Sequence, residues 1–488
     1  MDRPVASGQL TDMTGKTPQI LRPQRPGEAL AITLIAGLGA LILALIDPVF
    51  PLDDAYITLH NARSLLAGGT DPVYGGAAAT GATSLLHLAL VAALGTLLPL
   101  TAANHVLTIA AVMLYAVGLA RLGARHGVNP SLIAALGLAS AYLPFSLTNG
   151  LETGIAMAAV IWLILLMQSP RLGWLAGLAP FIRPELGLLA ALLMACRLWQ
   201  LRREAAAAAA LLGRAAVVAL PFLAWSYTMT GDIIPATGGA KVAFFTEIAR
   251  PLATKLRLAG WPLLLSMLLP LFLGIAGLFR RPGGLVLLAW LLVWMLASLW
   301  ALPTGFGHNY HRYLAPLVPV LLAGWVMLAT DARWRRVLVV VALVSLATGA
   351  LGVRARIRGD FTGSMVTMAA EARRHIPQGA RVVIHDAGYL AWDRPDLKLI
   401  DIVGLKSKAN IAVHQRLTRT SGNRDAAYLD IISRSNADYL VLLVRDPLWN
   451  RMVPVMREAG WTLELLTDSP GRKPYGIYRL TPPPAEGA

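Results

Sequence analysis

Between Ala29 and Gly352 the chain returns repeatedly to uninterrupted apolar stretches of roughly 16–22 residues, the length a helix needs to cross a bilayer. Inside lipid such a stretch can satisfy its backbone only by closing its own hydrogen bonds, so the pattern predicts an α-helical, polytopic membrane protein. The remaining composition agrees, with 56% hydrophobic and 14% charged residues among 488. The formal charge of +16 would suggest nucleic acid in a soluble protein. Here it reads as topology and lipid-headgroup contact, because no motif interleaves aromatic and basic residues for nucleic-acid binding. A single cysteine, Cys196, excludes an intrachain disulfide and a cysteine metal cluster.

The spans expected from hydropathy are 29–46, 84–100, 103–120, 131–147, 152–168, 172–182, 185–199, 208–228, 261–279, 284–302, 312–330 and 336–352. Residues 1–28 read as a polar cytoplasmic tail ahead of an uncleaved signal anchor. Basic loops at Arg121/Arg125, Arg171, Arg197–Arg203, Arg280/Arg281 and Arg333–Arg336 mark the inner side. With the first loop, 47–83, outside and Arg121 inside, residues 84–120 must cross once although they hold two apolar runs. We therefore expect 84–100 to lie at the interface or re-enter, which leaves about 11 crossings.

This topology gathers the polar residues on the outer face of the plasma membrane. Asp53 and Asp54 follow the first span, and Ala55–Ala67 reads as an amphipathic helix lying along the membrane surface, with Tyr56 and Arg63 in reach and Gly68-Gly69 at its end. Glu152, Arg183, Glu185, Lys241, His308, His311 and Arg312 sit in the later outer loops, with Ile234-Pro235-Ala236 in the loop before Lys241. From about 353 the composition changes. Strands at 380–385, 397–402, 437–443, 461–466 and 475–480, alternating with helices at 364–375, 425–433 and 447–458, predict an outer α/β domain over 353–481 and a disordered tail over 482–488. The membrane domain is 29–352. No glycine-rich phosphate loop indicates nucleotide binding.

Two adjacent carboxylates at a membrane edge are costly and call for water, a cation or a reacting group beside them. They also serve as a helix cap. In a helix start their side chains diverge by about 100°, so one can act as a base while the other orients the loop or binds a divalent metal ion. Arg183, Lys241, His308, His311 and Arg312 carry the charge to hold a phosphate at that depth, and arginines there also fit headgroup snorkelling. Glu152 opens a helix turn or contacts substrate, as Tyr56, Arg63 and Glu185 can.

Read in order, Asp53-Asp54-Ala55-Tyr56-Ile57, Gly81-Ala82-Thr83-Ser84, Leu151-Glu152-Thr153-Gly154, Arg183-Pro184-Glu185, Gly231-Asp232-Ile233-Ile234-Pro235, His311-Arg312-Tyr313 and His385-Asp386-Ala387-Gly388-Tyr389 resemble the GT-C superfamily of integral membrane glycosyltransferases. The arabinofuranosyltransferase and protein-mannosyltransferase-like branches are the most similar. The resemblance implies a GT-C fold, a polyprenyl-phosphate sugar as donor, a glycan, lipid or protein as acceptor, and a catalytic carboxylate at Asp53 or Asp54 without choosing between them; the residues themselves favour Asp54, because it opens the following helix. Leu186 stands between Glu185 and Gly187 where the family usually continues directly with glycine, and Ala236 follows Pro235 where relatives often have asparagine. The rival reading is a transporter or flippase of a lipid-linked or sugar substrate, which predicts inverted repeats that the sequence lacks. A membrane scaffold would leave the Asp pair unexplained.

Overall fold

The computed structural model describes residues 26–233, 237–357, 360–419 and 422–484. Residues 1–25 of the tail expected to be cytoplasmic, Ile234-Pro235-Ala236 of the loop expected outside and the end of the C-terminal tail lie outside the described residues.

The first half is helical, as its apolar runs require. Its helices are α1 (Pro26–Ile46), α2 (Asp53–Leu66), α3 (Leu85–Gly95), α4 (Leu100–Arg125), α5 (Pro130–Ala139), α6 (Leu143–Thr148), α7 (Thr153–Leu166), α8 (Leu172–Ile182), α9 (Pro184–Gln200), α10 (Ala205–Thr230) and α11 (Thr237–Phe245). Longer helices follow at Pro282–Ala301 and from Ala332. Large apolar side chains such as Ile35, Leu45, Val217 and Leu296 are exposed on them. That is the surface a helix offers to lipid.

Among the described residues five helices are long and apolar enough to cross a membrane, and up to seven if two bent pairs each count as one span. The expected eleven is not met by length. The bent pairs are Leu252–Leu265 with Leu269–Leu278, at 101°, and Pro303–His311 with Ala315–Leu328, at 93°. Likewise the span expected at 131–147 is broken between α5 and α6, where Ala141 takes φ 50° and cannot continue a helix. Broken helices of this kind are tolerated where protein, not lipid, surrounds the freed backbone. Here Ala141 is fully buried, and its carbonyl accepts the Gly352 N–H at 3.2 Å. Helix α3 has eleven residues, about 16 Å at 1.5 Å each, too short to cross on its own.

Close packing of the bundle rests on small residues. A Cβ on Gly277 would lie 1.9 Å from the Gly324 carbonyl oxygen, and one on Gly177 would lie 2.3 Å from that of Ala215. Backbones thus meet directly, as membrane helices do through small side chains.

The chain then forms a five-stranded mixed sheet. After the short hairpin β1 (Thr70–Asp71) and β2 (Gly76–Ala77), the strands are β3 (Arg381–Ile384), β4 (Lys398–Asp401), β5 (Tyr439–Leu443), β6 (Thr462–Asp468) and β7 (Tyr475–Thr481), in the order β4-β3-β5-β7-β6. Strand β3 is parallel to β4 and β5, and β7 is antiparallel to β5 and β6. All five were expected within two residues at each end. The hairpin was not. Its turn adds to the sheet edge, where Leu399 donates its N–H to the Val73 carbonyl at 3.0 Å.

Helix α2 departs from expectation. Instead of lying on a membrane surface, it is buried on most of its circumference, with Asp53, Tyr56, Leu59, His60, Asn61 and Ser64 all covered. One side packs on Leu85, Leu88 and Phe181, the other on Met365, Tyr389 and Trp392 of the C-terminal domain. The domain takes the place that lipid was expected to fill.

Candidate active site

Leu52 is extended (φ −130°) and the helix begins at Asp53, so the two carboxylates point apart as helix geometry demands. Asp53 is buried and faces the C-terminal domain. Its oxygens accept the backbone N–H groups of Gly388 at 2.8 Å and Tyr389 at 2.6 Å. Burial first, and then the nearby Asp386 charge, raise its carboxyl well above the usual range, against the opposing pull of these two amides. Asp54 faces the helical half and meets the Arg312 guanidinium at 2.6 Å. Burial alone would raise its carboxyl, but Arg312 and then Lys241 hold it well below the usual range. One carboxylate is thus an anchor and the other an ionised group at the wall of a cleft.

Asp54, Thr83, Glu152, Thr237, Lys241 and Arg312 line that cleft, and Leu405 closes it from the C-terminal domain. Four of the residues singled out in the sequence therefore converge: Asp54, Glu152, Lys241 and Arg312. Arg183 stands behind them, 2.7 Å from Glu185 and 3.7 Å from Glu152. Among the cations, and not itself lining the cleft, is Tyr313, which sequence reasoning passed over although it adjoins Arg312 in the quoted motif. Its hydroxyl accepts from Lys241 at 3.0 Å and Arg312 at 3.2 Å, and the Arg183 and Arg312 guanidinium carbons lie 5.4 and 5.1 Å from its ring centre. An electron-rich ring and an oxygen acceptor add to the carboxylates Asp54, Glu152 and Glu185 in holding the three cations close together. The His308 ring stacks on the same tyrosine at 5.8 Å.

The other predicted residues stand elsewhere. His311 bonds the Phe306 carbonyl through Nδ1 at 2.9 Å and lies against Tyr142. The Tyr56 hydroxyl accepts the Phe50 N–H at 3.1 Å, and its ring meets Tyr389 edge-on at 4.7 Å. Arg63 donates to the carbonyls of Trp392 at 2.9 Å and Ala391 at 2.8 Å and lies over the Trp392 ring. Tyr56 and Arg63 thus hold the two halves together rather than line the cleft. The residues sequence reasoning missed, Tyr313, Thr237 and Leu405, carry no carboxylate and no cationic group. Their one signal was adjacency to motif residues, and for Leu405 there was none.

A divalent ion shared by Asp53 and Asp54 does not fit this geometry. Both Asp53 oxygens are engaged by amides, and Asp54 looks at two cations that would repel a metal. Among the described residues no group of three or more His, Cys, Asp or Glu is arranged to hold one.

The fold as a whole, a bundle of broken helices with its appended C-terminal domain, is shared with solved structures along nearly the full chain. The individual likeness is to ArnT from Cupriavidus metallidurans bound to undecaprenyl phosphate, with a TM-score of 0.53 and 13% identity over 93% of this chain and 98% of that one. The same ArnT in the apo state gives a TM-score of 0.52, again at 13% identity, over 93% and 97%. Arabinofuranosyltransferase AftD from Mycobacteria aligns at 18% identity with a TM-score of 0.45, over 92% of this chain and 39% of AftD. Residues 354–478 match a family described as a domain of unknown function (DUF8728). No curated protein matches the chain.

Proposed function

We propose that the chain is an inverting glycosyltransferase of the plasma membrane, which moves a sugar from a polyprenyl-phosphate donor to a glycan, lipid or protein acceptor at the outer face. The observation that carries this reading is the pairing of ionised Asp54 with Arg312 at 2.6 Å, in one cleft with Lys241. The likeness in fold to a protein that binds undecaprenyl phosphate supports the same donor class.

Asp54 and Arg312 neutralise each other at rest. A donor phosphate entering the cleft competes for Arg312 and Lys241, since arginine holds phosphate oxygens through two parallel bonds. That competition frees the Asp54 carboxylate. It can then take the proton of an acceptor hydroxyl as the oxygen bonds to the anomeric carbon. The sugar–phosphate bond breaks on the opposite face, and the phosphate leaves with the bonding electrons. The cations offset the charge that builds on the leaving oxygen. A positioned general base contributes on the order of 10²–10⁴-fold. Glu152, the second carboxylate at the cleft, is paired with Arg183 at 3.7 Å, and Asp53 is turned away, so a single displacement with inversion on Asp54 is the simpler course.

Mass spectrometry of the lipids that co-purify with the protein in detergent tests the reading. A polyprenyl phosphate, with or without a sugar, is the expected species. Phospholipid alone, even after incubation with added undecaprenyl phosphate, would contradict it.

A further inference from the structure

Helix α11 carries Lys241 and Thr237 to the cleft, yet little in its own sequence keeps it folded. It has nine residues, below the length at which an isolated helix is stable in water. Gly238 and Gly239 are poor helix formers, and a Cβ on either would meet no atom within 4 Å. What holds the helix lies at its other end and belongs to the C-terminal domain. Phe244 is fully buried in that domain's core, stacked on Trp449 at 5.3 Å and edge-on to His414 at 5.0 Å. Arg424 donates from Nε to the Phe244 carbonyl and from Nη2 to the Phe245 carbonyl, both at 2.9 Å. Its guanidinium also lies 5.1 Å from the Phe244 ring centre. These two carbonyls end the helix and have no partner within it, and a cation there meets the negative end of the helix dipole.

Phe244 and Phe245 follow Lys241 by three and four residues, within one turn. A shift at the capped end is therefore passed directly to the lysine. We propose that Arg424, in the domain that matches a family of unknown function, is a positioning residue for donor binding. It fixes the end of α11 and thereby aims Lys241 at the Tyr313 hydroxyl and at the phosphate that would lie beside it. This gives the C-terminal domain a part in recognising the lipid phosphate although Arg424 does not line the cleft. The inference rests on the reading of the cleft as a phosphate site.

The test is binding of undecaprenyl phosphate to the full-length protein in detergent, for wild type, Arg424→Gln, Lys241→Met and the double variant. Arg424→Gln should weaken binding about tenfold, the size of one charge-assisted contact. In the Lys241→Met background the same change should cost less than about twofold, because its effect runs through the lysine. Adding Gly238→Ala and Gly239→Ala to Arg424→Gln should recover part of the loss by stiffening the helix without new contacts. Arg451→Gln, which breaks an exposed pair with Asp425 in the same domain, should bind like wild type. If Arg424→Gln does not fold, Arg424→Lys is measured in the same cycle, since one ammonium cannot reproduce the fixed fork. Equal losses in both backgrounds, or wild-type binding by the Arg424 variant, would overturn the inference and leave the cleft reading standing. No binding by wild type, or unchanged binding by Lys241→Met, would overturn the cleft reading and the inference with it.

Discussion

The Asp53 carboxylate accepts the Gly388 amide N–H at 2.8 Å, and so joins residues 335 positions apart in the chain. The approach is closer than that bond alone requires. A Cβ at position 388 would lie 2.0 Å from the Asp53 carbonyl oxygen and 2.9 Å from its Oδ2. Gly388→Ala must therefore push α2 away from the domain. We expect it to lower stability by about 1–3 kcal/mol, as overpacking does, and to reduce turnover by more than that loss explains, because Asp54 is the next residue. Thermal midpoints and turnover measured together decide it. An alanine variant with wild-type values for both would contradict the contact.

Arg183 and Arg312, treated alike in the sequence, separate in the structure. Arg183 is 4% exposed and stands between Glu152 and Glu185. Arg183→Ala leaves those carboxylates without their cation and should cost on the order of 3–5 kcal/mol in stability, as broken buried pairs do. Arg312 is buried as well, at 6% exposed, but it meets a single carboxylate, Asp54, whose side chain is 30% exposed against 13% and 21% for Glu152 and Glu185. Arg312→Ala should therefore cost less stability than Arg183→Ala, because the Asp54 it leaves behind can be hydrated, and should weaken donor binding about tenfold to a hundredfold. Denaturation midpoints and donor titrations on both purified variants check the split. Equal losses of stability in the two variants would be the wrong pattern.

Asp401 gives a pH signature. Its oxygens accept the N–H groups of Val403 and Lys406, which shape the loop that carries Leu405 to the cleft. Burial pushes its carboxyl up to about 6. Between the unfolded value near 3.9 and about 6 the folded chain holds the proton that the unfolded chain has lost. The stability this provides is full below about 3.9 and is lost as pH rises through 6. The loss is on the order of 2–3 kcal/mol. Asp401→Asn cannot titrate, so the wild-type stability minus that of the variant should fall between pH 4.5 and 7.5. A pH-independent difference, measured by thermal unfolding in detergent, would contradict the assignment.

Much of this was legible in the chain because it depends on local pattern. Period and length gave the helices, alternating apolar runs gave the five strands, and the spacing of neighbours on a helix gave the divergence of Asp53 and Asp54. What was not legible depends on distant partners. A hydropathy window sees 131–147 as one span, since nothing local marks the φ 50° kink at Ala141. Helix α2 looks like a surface helix because the domain that buries it lies more than 300 residues on. Tyr313 was missed because its role comes from the cations around it, and Leu405 because an apolar wall has no chemical mark.

The central claim is that Asp54 takes the acceptor proton, and turnover of Asp54→Asn tests it most directly. Asparagine keeps the shape and removes the charge, and Arg312 keeps its bond to Tyr313. Transfer is measured with a short-chain polyprenyl-phosphate sugar donor at saturating acceptor, beside Asp53→Asn and the double variant. The account predicts a loss of at least ~100-fold in turnover for Asp54→Asn, with little change in thermal midpoint. Asp53→Asn should lose less in turnover and more in stability, as an anchor does. Near-normal turnover in Asp54→Asn and in the double variant would contradict the mechanism.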